Sequence, residues 1–156
     1  MHKNYDDMTN PLQFVHVRQK FNKVKNGISY FAEVYLDINL KTVSKTIEIR
    51  CDGQGFSAQG HMETATSFGY DDWKQGAVLG IEYACQKANC INYHITITKI
   101  IGLSTDTNPT IVGVTAILAV WQAINFVVAK ETIRKLEEYV FTSWNMAIAE
   151  LPYFDY

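Results

Sequence analysis

Four residues able to ligate a metal stand at suggestive places: Cys51, Cys85, Cys90 and His94. Three thiolates and one imidazole would make a tetrahedral zinc set. The spacing argues against it. The gap between Cys85 and Cys90 is at the loose end of ligand spacing, Cys85 falls in a helical turn, and His94 lies on the polar side of a strand pattern. Small buried thiols are the commoner fate of cysteine, so no metal is expected. Acid–base chemistry has one candidate cluster, His61, Glu63, Asp71 and Asp72. His61 and Glu63 would share a face if that stretch is extended, and Ser57 or Ser67 would be the available nucleophile. Neither serine stands in a Gly-x-Ser-x-Gly elbow, and no catalytic residue is expected. The glycine-rich run Cys51 to Gly60 lacks both the GxGxxG spacing and a Gly-Lys-Ser/Thr ending. It reads as a turn, and no cofactor is expected.

The C-terminal end carries the stronger signal. Tyr139, Phe141, Trp144, Tyr153, Phe154 and Tyr156 place six aromatic rings in the last 18 residues, among Glu137, Glu138, Glu150 and Asp155. Amphipathic rings among acids anchor protein partners well. The candidate partner-binding residues are therefore Trp144, Glu150, Tyr153, Phe154, Asp155 and Tyr156. A competing reading docks the last helix on the core and straps the tail across it, burying most of those rings.

Charge sorts along the chain. Residues 1–50 carry a net +3, residues 51–100 a net −2 and residues 101–156 a net −3, for −2 overall. Lys20, Lys23, Lys25, Lys41 and Lys45 crowd near expected hairpin ends, where lysine commonly protects a sheet edge. A mildly acidic whole disfavours broad nucleic-acid binding. An odd cysteine count and a polar Met1–Asn10 stretch without an apolar core suit the cytoplasm. The stretch Thr107 to Ala129 holds no charge and approaches the length of a bilayer span. Gly113, Thr115, Gln122 and Asn125 interrupt it, so a buried core helix is expected and no membrane association.

These residues need elements to hold them. With 156 residues, 47% apolar and 13% aromatic, the chain suits a single domain, 1–156, with a loose leader at 1–11 and a flexible tail at 151–156. Phe14 to Phe21 is strand-like, and Asn26-Gly27 is a hairpin turn signal. Ser29 to Ile38 alternates with Tyr30, Ala32, Val34, Leu36 and Ile38 on one face, and Val43 to Cys51 alternates likewise. The three read as an antiparallel meander. Asp52 to Tyr70 reads as a long loop with a short strand or turn around His61 to Thr66. A helix capped by Asp71 or Asp72 runs to about Ala88, with Gly76 and Gly80 permitting close packing on a sheet. Ile91 to Ile101 is a fourth strand. Asn108-Pro109 starts a helix reaching Val127 or Val128. A third helix begins near Lys130 and reaches about Trp144. The expected fold is α+β: a two-layer sandwich with a four-stranded, mainly antiparallel sheet and helices on one face, in the order β-β-β-α-β-α-α.

From Asp72 to Ala88, through His94-Ile95-Thr96-Ile97-Thr98 and Gly102-Leu103-Ser104-Thr105-Asp106, to the helix ending at Ile124, the order resembles domain IV of elongation factor G. The resemblance covers about residues 70–125. It implies a ribosomal-protein-like fold in which four strands carry two helices through a left-handed crossover; no function is carried over.

Absence of a catalytic set, the charge and the terminal aromatics point to a small cytoplasmic protein-binding module. An inhibitor or immunity-type protein that occludes a cognate toxin or enzyme fits best, its partner a protein and a basic one. The alternatives are an RNA- or ribosome-associated module and a small enzyme using the His61/Glu63 loop.

Overall fold

The computed structural model describes residues 14–56, 62–145 and 151–154. Two long strands open it, β1 (Phe14–Lys25) and β2 (Ile28–Asn39). They pair without interruption from Phe14↔Asn39 to Lys25↔Ile28. Asn26 and Gly27 form the two-residue turn, at φ 54° and 78°. Such a turn matches the right-handed strand twist and lets the ladder run to its edge. For that reason β1 extends past Phe21, four residues beyond the sequence expectation.

The expected meander is corrected at the next step. Strand β3 (Lys45–Ile49) does not lie beside β2. Strand β6 (Tyr93–Gly102) sits between them, antiparallel to β2 and parallel to β3. At this central place in the sheet Ile95 and Ile97 are fully enclosed. Two short strands form in the 52–70 segment: β5 (Glu63–Thr64), where a short strand or turn was expected, pairs with the end of β6, and β4 (Gly55–Phe56) forms where loop was expected. The sheet therefore has six strands rather than four. A bulge at Thr98 shifts the register between Tyr35 and Leu36, turning Ile100 rather than Lys99 inward.

Helices α1 (Asp71–Lys87) and α2 (Pro109–Ala123) cover the face carrying Tyr30, Ala32, Val34, Leu36, Ile38, Ile95 and Ile97. The cap of α1 is Tyr70, in the left-handed region at φ 57°, with Asp71 and Asp72 inside the first turn instead of capping it. Gly76 and Gly80 pack against α2, not the sheet: a Cβ on Gly80 would lie 2.2 Å from Gly113 O, and one on Gly76 2.3 Å from Pro109 O. Asn108 caps α2 as expected, its Oδ1 accepting from Ile111 N–H at 2.9 Å. This helix is the uncharged stretch, buried over most of its surface. It ends four residues early because Asn125 turns left-handed at φ 57°. No helix among the described residues is long and apolar enough to cross a membrane.

Helix α3 (Lys130–Phe141) is amphipathic, burying Leu136 and Val140, and a 3-10 turn (Ser143–Asn145) follows it. Asn108 Nδ2 donates to Ser143 Oγ at 2.8 Å, tying that turn to the start of α2. Tyr30 O–H donates to Phe141 O at 3.1 Å, tying the hairpin to the end of α3.

Candidate functional site

The C-terminal rings divide three ways. Phe154 is 5% exposed, with its Cζ 2.7 Å from where a Gly113 Cβ would stand, and its ring meets Tyr83 and Tyr139, each at 5.6 Å between centroids. Glycine at position 113 thus makes the slot that receives it. Tyr153 is 79% exposed, yet its backbone is held: its N–H donates to the Tyr139 hydroxyl at 2.8 Å. Trp144 is half-buried against the core, its Nε1 without a partner among the described residues. Glu150, Asp155 and Tyr156 lie outside the described residues. Tyr153 and Phe154 come together; Trp144 stands on the 3-10 turn beyond α3.

Around Tyr153 and Phe154 is a half-open cavity of about 420 Å³, lined also by Tyr83, Lys87, Thr132, Lys135, Leu136 and Tyr139. Its floor is aromatic and aliphatic, and its charged groups are the exposed Lys87 and Lys135. Two of the acids expected nearby are engaged elsewhere. Glu137 pairs with Lys23 at 3.2 Å and Glu138 with Lys25 at 4.0 Å, while Lys25 Nζ also lies 4.7 Å above the Phe141 ring. Two lysines of the hairpin thus meet two acids of α3 where the hairpin packs on that helix.

The opposite face of the sheet is open among the described residues. The register lines up His16, Asp37, Thr96 and Glu48 across four strands. His16 Nδ1 meets Asp37 Oδ1 at 2.5 Å, Arg18 Nε meets Glu33 at 2.7 Å, and Glu48 meets both Arg50 at 2.6 Å and His94 at 3.0 Å. Arg50 first, then His94, holds the Glu48 carboxyl below the usual range. The Tyr35 ring has Arg18 at 6.0 Å and Lys99 at 5.1 Å from its centroid. Sequence reasoning missed this array, although the signal was present. A two-residue turn at Asn26-Gly27 pairs every residue of β1 with a known residue of β2, placing His16 opposite Asp37.

The other candidates scatter. Cys51 is buried, its thiol donating to Ile97 O at 3.8 Å, whereas His94 points to the open face toward Glu48. A zinc set of Cys51, Cys85, Cys90 and His94 would have to span both faces of the sheet. His61 lies outside the described residues. Glu63 accepts from Tyr70 O–H at 2.9 Å and from Ser104, both N–H and O–H, so it pins the loop after β6. Asp72 accepts from Trp73 N–H at 2.9 Å. Ser57 lies outside the described residues, and Ser67 is exposed, its carbonyl accepting from Lys74 Nζ at 3.3 Å. Gly53 and Gly55 serve the backbone: Gly53 abuts Thr64 and Gly55 has φ 77°.

No protein-family model matches the chain, and no curated protein does. Among solved structures, the fold is similar to the Thermus thermophilus protein ttk003000868, with a TM-score of 0.53 at 14% identity. That likeness takes in 69% of this chain and 15% of the other, so it is a likeness to one part of a much longer protein. It is a likeness of fold alone.

Proposed function

We propose that the protein is a small protein-binding module, of inhibitor or immunity type, that engages its partner through the groove around Tyr153 and Tyr139. One observation carries the reading: Tyr153 is displayed on a backbone anchored at both its own N–H and the neighbouring Phe154. An exposed ring on a pre-organised backbone loses little freedom on binding, which is what makes tyrosine a strong interface anchor. The rim cations Lys87 and Lys135 favour a partner segment bearing carboxylates. The α3 acids Glu137 and Glu138 pair with Lys23 and Lys25, and Glu131 with Arg134, so the expectation of a basic partner rests on Glu150 and Asp155, which lie outside the described residues.

A second reading, an RNA-associated module, has one observation in its favour. The Tyr35 ring, with Arg18 and Lys99 near it on the open sheet face, gathers the aromatic and cationic groups that RNA contacts use. The domain IV resemblance belongs to this reading. The two separate in one experiment: affinity capture from lysate, with and without nuclease, using wild type, Tyr153→Ala, Lys135→Glu and Arg18→Ala. The expected result is a stoichiometric protein that survives nuclease, is lost with Tyr153→Ala and Lys135→Glu, and is retained with Arg18→Ala. Nucleic acid in the eluate, with loss on Arg18→Ala alone, would overturn the first reading in favour of the second.

A further inference from the structure

Helix α1 ends in a six-residue closure from Cys85 to Cys90. Cys90 N–H donates to Cys85 O at 2.8 Å and Asn89 N–H to Gln86 O at 3.1 Å, with Asn89 left-handed at φ 59°. This helix-ending geometry brings the side chains of its first and sixth residues against one another. Helix α2 shows it directly. There Phe126 N–H donates to Trp121 O at 2.9 Å and Asn125 N–H to Gln122 O at 3.3 Å, and the Trp121 and Phe126 rings meet at 5.8 Å. In α1 the two residues so placed are both cysteines. Both line a half-open cavity of about 510 Å³, shared with Lys45, Glu82, Asn89 and Tyr93. Cys85 is buried and Cys90 half-buried, and both are free thiols.

We propose that Cys85 and Cys90 form a dithiol site that reacts with small disulfides of the glutathione class and closes to an intramolecular disulfide. The Cys90 thiolate, the more accessible, attacks one sulfur of the small disulfide. A Cys90 mixed disulfide forms and one small thiolate leaves. The Cys85 thiolate then attacks Cys90 Sγ and expels the second. The protein loses two thiol hydrogens and two electrons, and the small disulfide is reduced to two thiols. The cavity supplies the room for that reagent beside Cys90. Burial pushes the Cys85 thiol up to about 12 and neighbouring Cys90 adds to the rise, while the Tyr93 hydroxyl and the Lys45 ammonium oppose it. Those two groups therefore assist the closing step. Cys51 lies apart, its thiol directed at Ile97 O, and serves as an internal control.

The test treats the folded full chain with oxidised glutathione, quenches with acid, and reads intact mass, free thiols and a peptide map. The expected product has lost two hydrogens, carries a Cys85–Cys90 link, retains one free thiol at Cys51, and returns to the starting mass with dithiothreitol. Cys85→Ser should accumulate one glutathione on Cys90, having no thiol to expel it. Cys90→Ser, a near-isosteric change at a half-buried position, should leave Cys85 unreacted. A wild-type chain that stably keeps glutathione on Cys90, or that reacts only after unfolding in urea, would overturn the proposal.

Discussion

Replacing Gly80 by alanine sets two effects of opposite sign against each other. Alanine is the better helix former by about 1 kcal/mol, so on local preference alone Gly80→Ala should stabilise α1. The packing says otherwise. The added methyl would stand 2.2 Å from Gly113 O, 2.9 Å from its carbonyl carbon and 3.0 Å from its Cα. An ordinary carbon–oxygen contact needs about 1 Å more, and a backbone carbonyl inside a helix cannot swing aside as a side-chain tip can. The helices must separate, and Gly113 has Phe154 on its other flank. Over-packing of this kind costs about 1–3 kcal/mol, here near the upper figure because the obstacle is main chain. Subtracting the gain in helix preference leaves a net loss of about 2 kcal/mol. In a chain of this length that lowers the unfolding midpoint by about 4–8 °C. Urea and thermal unfolding, followed by circular dichroism and tryptophan fluorescence, measure it. A midpoint at or above wild type would refute the argument that these two helix backbones are in contact.

Three further outcomes follow from particular groups. Asn108→Ala should cost about 2 kcal/mol in urea unfolding, roughly half from the lost cap and half from the bond to Ser143, and Asn108→Ser should recover only the capping half; equal losses in the two variants would mean the cap is not used. Glu48 is held low by Arg50 and then His94, and a carboxyl depressed in the folded state contributes stability above its unfolded value, lost as pH falls through the folded one. Stability of the wild type should therefore decline as pH drops below about 4.5, and Glu48→Gln should flatten that limb; identical slopes would remove Glu48 from the account. Burial raises the Cys85 thiol from 9.0 to about 12, so its contribution is full below pH 9 and is lost as pH rises toward 12. Cys85→Ala should make the alkaline decline shallower without abolishing it, since Tyr93 is raised by burial too.

How far the fold was legible depends on the range over which each signal acts. The β1–β2 turn was readable because Asn26-Gly27 acts through its own backbone angles. The inward faces of β2 and β6 were readable because alternation belongs to the strand itself. Asn108-Pro109 announced the start of α2 for the same reason. By contrast, the early end of α2 rested on Asn125 adopting a left-handed angle, which asparagine permits but does not require. The six terminal aromatics were visible as a cluster, yet not which were buried. Phe154 is enclosed because Gly113, far off in sequence, leaves a slot for it, and Tyr153 beside it is exposed.

By itself, then, the chain determined its element types, the core-facing residues of its long strands, the cap of α2 and the buried character of its uncharged helix. These follow from propensity, periodicity and side-chain-to-backbone bonds within a few residues. The tertiary structure alone decided that β6 enters between β2 and β3, that Gly76 and Gly80 meet a helix instead of the sheet, and that Lys23 and Lys25 neutralise Glu137 and Glu138. Period-two alternation tells which face a residue takes but is silent on which strand lies alongside. The neighbours of β6 are a property of the assembled sheet and of no single segment.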